Sequence, residues 1–331
     1  VDSVTQIALG AAVGETVLGR KVGYRAALWG GICGTLPDLD SFVPYQDAVA
    51  TVTYQRSYSH SLIVLARLTP SLVWLIQKVH SQTTSLRQGW GLLVYLVFAT
   101  HVLLDAATVY GTQLFWPLSN HPFSGSAVFI IDPGYTLPLI IGVFAALVLS
   151  RRRNTGHYIN YAGLVLSTLY LGWAFVAKAY VEERLAASLE KHGIASIGTQ
   201  TAPTAFNTIL WRCLIVSEQG FHEGFYSVLD ERDDIEFTHY PSDTGLLDGI
   251  EDHWPVRRLK WFTHGLYSVT RSANDVIMTD LRMGLEPNYV FRYKVAEVGN
   301  PHAQSVTSSR VYNSFTSVQF RWLQWRLANP Q

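Results

Sequence analysis

Apolar residues gather in long runs over the first half of the chain and alternate with polar ones over the second. Four runs, roughly His60 to Gln77, Trp90 to Val109, Gly134 to Ser150 and Tyr158 to Ala177, are apolar enough to cross a bilayer. A spanning helix takes about 20 residues, so the first and third are short. Two further stretches, Val4 to Leu18 and Ala26 to Leu36, are rich in Gly and Ala and are joined by the basic GRKVGYR. Small residues let helix backbones approach closely in a membrane, so these two predict a tightly packed helical pair. A short amphipathic helix is expected from Val181 to Lys191, after which the pattern becomes strand-like. ILWRCLIV, FYSVLD, KWFTHGLYSV, DVIMTDLRM and YVFRYKVAEV are separated by turn-forming or charged residues and predict an antiparallel sheet. The aromatic, basic segment from Val311 to Leu327 predicts a helix lying on the sheet or on the membrane surface. The expected fold class is a mainly α membrane protein. Residues 1–182 form a polytopic bundle of about six membrane helices, some of them short, and residues 183–331 form an extramembrane α+β domain built on an antiparallel sheet.

Composition supports the membrane assignment. Of 331 residues 48% are hydrophobic and only 15% charged, which is few charges for a water-soluble protein of this length. The 25 basic and 25 acidic side chains cancel, so no overall field draws in phosphate backbones and nucleic acid is excluded as a partner. The opening VDSVTQIALGAAVGE lacks the basic start of a secretory signal and continues into patterned helix. Cys33 falls in an apolar helical run and Cys213 in the polar half, an arrangement that does not suggest a disulfide framework. Arg20, Lys21, Arg25, Lys78, Arg87, Arg151, Arg152 and Arg153 all fall in alternate connections, whereas the other connections hold Arg56 alone. The positive-inside rule then makes the basic side cytoplasmic. The opposite face, periplasmic in a bacterial inner membrane, carries the connection with Asp38 and Asp40, the connection from Tyr110 to Pro133, and everything after Lys178.

The candidate chemistry collects on that outer face. His101 and Asp105 lie four apart on a predicted membrane helix and so project from one side of it, about 6 Å apart. Ionisable groups in hydrocarbon are costly and mark function by default, although a His–Asp pair can also simply tie two helices together. His60 begins its own helix at the same side, Asp38 and Asp40 of GTLPDLD end another segment there, and Asp132 of FIIDPGYT begins a further one. Taken singly, PDLD could be a helix-ending turn and Asp132 a helix cap before Pro133. Together they offer mixed nitrogen and oxygen donors suited to a divalent metal, zinc first and manganese second, or two ions sharing a carboxylate. Asp38 or Asp40 would accept a proton, and Arg56 and Tyr58, which flank His60, would hold a substrate oxygen. His121 is a further ligand candidate with solvent exposure as its alternative. Gln6 is read either as an amide in the ligand shell or as packing polarity. Glu15 is expected to pair with Arg20 or Arg25, and Arg67, seven residues after His60, to form an ion pair with Asp105 or Glu15 unless it meets an anionic substrate.

SVTQIALGAAVGE, GTLPDLD, RSYSHSL, THVLLDAATVYGTQLFWPLS and FIIDPGYTLPL occur in that order, and TDLRMGLEPNYVFRYKVAE follows with weaker similarity. These motifs resemble a family of inner-membrane proteins described as metal-dependent hydrolases and once as LexA-binding. That family is distantly similar to zinc-dependent phospholipase C and P1-type nuclease. The resemblance implies that His60, His101 and Asp105 are metal ligands and that Asp38 or Asp40 is a ligand or the general base. It also implies a departure, because many relatives carry His where this chain has Gln6, and an amide binds zinc poorly.

The residues and the resemblance together lead to a membrane-embedded, phosphoesterase-like hydrolase that uses a metal-activated water on a lipid or lipid-linked substrate. Two other readings stand beside it. One is a transporter or proton relay lined by His101, Asp105 and Arg67, and the other is a non-catalytic membrane anchor that recruits a protein partner. The sequence leaves homo-oligomerisation open.

Overall fold

The computed structural model describes residues 1–149, 154–299, 302–312 and 317–331, so that Ser150 and the arginines Arg151 to Arg153 lie outside the described residues. Two units divide the chain. The first holds Val1–Phe42, Arg56–Phe175 and Ala205–Asn207, and the second Val43–Gln55, Val176–Thr204 and Thr208–Gln331.

The first unit is helical. Helix α1 (Ser3–Val22) is capped by Asp2, whose carboxylate accepts from the backbone N–H groups of Val4 and Thr5, and α2 (Arg25–Thr35) packs back along it. The reason is visible in the glycines: a Cβ on Gly10 would stand 2.3 Å from the Gly30 carbonyl oxygen, and one on Gly34 would stand 2.6 Å from the carbonyl oxygen of Gln6. Only bare backbones permit this approach, as the Gly- and Ala-rich pattern predicted. The chain leaves α2 through a 3-10 turn, Pro37–Phe42, and contributes α3 (Ala48–Tyr54) to the second unit. It returns through a second short turn, Tyr58–His60, into α4 (Leu62–Val79), whose cap is Ser61. Helix α5 (Arg87–Ala106) runs through the middle of the unit, with Trp90, Leu93, Val94, Val97 and Phe98 fully buried. Helices α6 (Pro133–Leu149) and α7 (Thr155–His192) follow.

Three helical segments, Leu62–Val79, Ser81–Ala106 and Thr155–His192, are long and apolar enough to cross a membrane, and Pro133–Leu149 is a shorter apolar helix. Their outward faces are greasy. Trp74 and Leu75 on α4, Ile141 and Phe144 on α6, and Leu169 and Val176 on α7 are all exposed, a surface that suits hydrocarbon and not water.

Among the described residues the second unit contains two four-stranded antiparallel sheets and a two-stranded hairpin. Strands β1 (Gly198–Pro203), β2 (Leu210–Ser217), β3 (Gly220–Ser227) and β4 (Phe237–Pro241) lie in sequence order in one sheet. Helix α8 (Trp254–Phe262) leads to β5 (Tyr267–Ser272), β6 (Asp275–Asp280), the short hairpin β7 (Gly284–Leu285) and β8 (Asn288–Tyr289), then β9 (Arg292–Glu297) and β10 (Gln304–Arg310). The second sheet has the order β10-β9-β6-β5. Arg212 of β2 joins the two. Its guanidinium donates to Glu223 of β3, to the Leu281 carbonyl at 2.7 Å and to the Tyr289 hydroxyl at 3.2 Å. A buried guanidinium is tolerated only when its donors are matched in this way. Helix α9 (Ser317–Ala328) closes the chain, with Trp322 edge-on to Phe225 of β3, so it lies on the first sheet.

Three local expectations are corrected. The helix expected to begin afresh near Val181 is the uninterrupted continuation of α7, because the stretch across Ala177 to Leu185 contains no Gly or Pro to end it. KWFTHGLYSV is half helix: Pro255 starts α8, and Val256, Leu259 and Phe262 bury one face at helical spacing before the strand begins at Tyr267. FYSVLD is the end of β3 followed by a turn, in which the Ser227 hydroxyl accepts from the Leu229 N–H.

Candidate metal centre

The close α1–α2 packing sets one wall of the site. It brings the last turn of α2, where carbonyls have no helical partner, up to α5. There the Gly34 carbonyl accepts a hydrogen bond from His101 Nδ1 at 2.8 Å. A carbonyl can only accept, so Nδ1 carries the ring proton and Nε2 presents a lone pair. His60 is fixed in the same sense. Its Nδ1 stands 3.0 Å from Ser59 Oγ and 3.4 Å from Asp40 Oδ2, while Ser59 Oγ donates to that same carboxylate oxygen. The Arg56 backbone N–H also donates to Asp40 Oδ2, at 2.9 Å, so the turn before α4 is braced around Asp40.

Two imidazole lone pairs therefore converge, with Nε2 of His60 and Nε2 of His101 3.4 Å apart and both rings buried. Asp38 Oδ1 lies 3.5 Å from the first and 3.6 Å from the second. Asp105 Oδ2 lies 3.2 Å and 3.6 Å from them. This Asp105 oxygen is completely buried and makes no hydrogen bond, although Arg56 Nε stands 3.3 Å away. Buried carboxylate oxygens are seldom left so, which points to a cation. Asp38, His60, His101 and Asp105 form a group that could hold a metal ion, their donor atoms all within 4.8 Å of one another.

Five of the six donor separations run from 3.2 to 3.6 Å, and all six lie within 4.8 Å, a spread that one divalent ion can span. The electrostatics agree with a cationic occupant. Burial alone would push His60 down, but its contacts with Asp105, Asp38 and Asp40 outweigh that and raise it to about 10, so without a metal a proton occupies the Nε2 position that an ion would take. Burial opposes ionisation of Asp38, yet the two histidines hold its carboxyl below the usual carboxylate range.

Of the remaining sequence candidates, Arg56 and Gln6 adjoin the group and the others lie away from it. Asp132 is outside the four-residue group; it accepts from the Gly134 N–H at 2.9 Å at the start of α6 and from the Tyr170 hydroxyl at 3.0 Å. Arg56 is in place beside Asp105, with its guanidinium over the Tyr110 ring and one amino group 3.3 Å from Thr108 Oγ1. Tyr58 is exposed against Trp116, and His121 is exposed against Phe123. Gln6 is buried and its amide donates to Asp105 Oδ1 at 3.1 Å. Glu15 pairs with His157 at 2.8 Å rather than with Arg20 or Arg25, because α7 brings an imidazole against it, and Arg20 lies over Tyr158. Arg67 is exposed on α4; His60 belongs to the turn before that helix, so helical spacing does not carry Arg67 to its face. The second-unit histidines His222 and His239, which sequence reasoning passed over, face each other across β3 and β4 with ring centres 4.8 Å apart and planes tilted by 58°.

The family model described as YdjM inner membrane protein matches residues 1–181, more than half of the chain and every residue of the metal group. The chain belongs to the YdjM inner membrane protein family. Family membership and the three span-length helices agree on a protein of the inner membrane. No curated protein and no solved structure matches the chain.

Proposed function

We propose that this YdjM-family protein is a membrane-embedded, zinc-dependent hydrolase of the phosphoesterase type that acts on a lipid or lipid-linked substrate. The observation that carries the reading is the orphaned, buried Asp105 Oδ2 facing two imidazole nitrogens whose protons are held on the far side of each ring. His60, His101, Asp105 and Asp38 would hold the ion. When bound, it would supply Lewis acidity and bring water within reach of ionisation near neutral pH.

The chain's own residues supply the rest. Asp40, engaged by Arg56, Ser59 and His60, positions His60 and is not free to move a proton. Asp38, whose side chain is 27% exposed, is the one donor of the group that reaches solvent, so it opens the ion to water and to substrate. Arg56 offers a guanidinium beside the group for a phosphoryl oxygen, and Tyr58 offers a hydroxyl at the rim. In this reading α1, α2, α4, α5, α6 and α7 all enter the bilayer with the site at the periplasmic end, and residues 183–331 stand outside it.

The experiment uses the full chain, purified in detergent and assayed on a panel of phospholipids and lipid-linked phosphates. Phosphoester cleavage should be abolished by a chelator, restored by zinc, and abolished in Asp105→Ala. Cleavage of no substrate on the panel would remove the hydrolase reading, and turnover that survives both chelation and Asp105→Ala would remove its metal dependence.

A second reading has one observation in its favour. The buried Glu15–His157 pair lies nine residues along α1 from Gln6, about 14 Å at the helical rise, and polar groups at two depths suit a proton relay. Proton flux in liposomes that is lost in Glu15→Gln and indifferent to metal would favour it.

A further inference from the structure

The second unit contains a cleft of about 450 Å³ lined by residues of both its sheets, within the roughly 300–1,000 Å³ usual for small-molecule sites. Its floor is a row of side chains running across three strands. Ser268 of β5 is the register partner of Thr279 on β6, and Thr279 is the partner of Arg292 on β9. Directly opposed residues share a face of the sheet, so two hydroxyls and a guanidinium stand side by side. The two hydroxyls pair with no other described residue, and both residues line the cleft. One wall is aromatic: Phe221 and Tyr240, cross-strand partners on β3 and β4, stack with ring centres 5.2 Å apart. Glu286, between β7 and β8, supplies the carboxyl on the other side.

Each class of ligand can be weighed against that lining. An apolar molecule would bury Ser268, Thr279, Glu286 and Arg292 without replacing the water they lose, which is costly. A phosphate or carboxylate would gain one guanidinium but meet a carboxyl; burial and the nearby Glu223 charge push Glu286 above the ordinary glutamate range, which does not remove the mismatch. A ring with one flat C–H face and a rim of hydroxyls that both donate and accept satisfies the whole set. We propose that this cleft binds a neutral saccharide unit, its ring lying on the partly exposed Tyr240, which Phe221 backs, and its hydroxyls meeting Ser268, Thr279, Glu286 and Arg292. The site stands on the second unit alone and does not depend on the hydrolase reading.

The test uses the full-length protein in a detergent without a sugar headgroup, since a maltoside would itself compete, applied to an array of immobilised neutral mono- and oligosaccharides. The wild type should be retained on a subset of them. Glu286→Gln and Thr279→Val should each weaken retention by about tenfold, the scale of one lost ligand hydrogen bond. Ser268→Ala, which removes a single hydroxyl from the floor, is measured beside them in case either larger change unfolds the sheet. His101→Ala, which disarms the metal group, should bind saccharide like the wild type, so the two proposals fail separately. Retention of no neutral saccharide above a blank surface, retention of charged glycans only, or wild-type binding by folded Glu286→Gln and Ser268→Ala would overturn the proposal.

Discussion

His60 and His101 point their Nε2 atoms at each other across 3.4 Å, and each ring is held in that orientation by an acceptor on its opposite nitrogen. Two lone pairs at this distance repel unless a cation lies between them. The proton and the divalent metal are the candidates, and the two buried or half-buried carboxylates alongside favour the higher charge.

The outer contacts of the histidines should matter nearly as much as the donors. Asp40→Asn keeps the shape of the side chain but removes the carboxylate that steadies His60 Nδ1. Chelator competition should find metal held about 10–100-fold more weakly, with the fold retained. Unchanged affinity would mean that Asp40 serves only the turn.

The α1–α2 contact is a second point of dependence. A Cβ at Gly30 would stand 2.1 Å from the Gly10 carbonyl oxygen, so Gly30→Val should separate the helices. Such overpacking costs roughly 1–3 kcal/mol or more, read as a lowered unfolding temperature in detergent. Because α2 also carries the Gly34 carbonyl, the same variant should lose metal before it loses fold.

Acid should loosen the C-terminal helix first. Arg326 donates to both carboxylate oxygens of Asp230, and the Ser227 N–H at 2.8 Å and the Gln331 N–H at 2.7 Å add two more bonds. Burial opposes ionisation of Asp230, yet these contacts win and hold its carboxyl below the usual range. A depressed carboxyl contributes stability that is full above its unfolded value of about 3.9 and is lost as pH falls through its lower folded value. Amide protection over α9, measured against the intrinsic exchange rate at each pH, should therefore fall as pH drops below about 4, and Asp230→Asn should show low protection already at neutral pH. Exchange in Asp230→Asn equal to wild type at pH 7 would show that α9 is held by packing alone.

The helical half was legible because its signals are local and redundant. Apolar runs, the Gly- and Ala-rich pattern of α1 and α2, and the four-residue spacing of His101 and Asp105 are each written in a few neighbouring positions. What the sequence could not supply was orientation at the level of atoms. Asp38 and Asp40 sit two apart in one turn, and nothing in PDLD tells which reaches the Nε2 atoms and which braces Nδ1 of His60; that follows from the path of the chain between α2 and α4. Asp132 shared the connectivity of the others, but its own loop and the Tyr170 hydroxyl satisfy it first. In the second half, KWF carried strand-like aromatic residues, while the helical period of Val256, Leu259 and Phe262 was present and outweighed them.

Elemental analysis of the purified full chain tests the central claim most directly. Wild type should carry about one transition-metal ion per chain, and His101→Ala and Asp105→Ala should each lose it while unfolding cooperatively. A wild type that stays metal-free after exposure to zinc, or variants that keep the metal in full, would contradict the account.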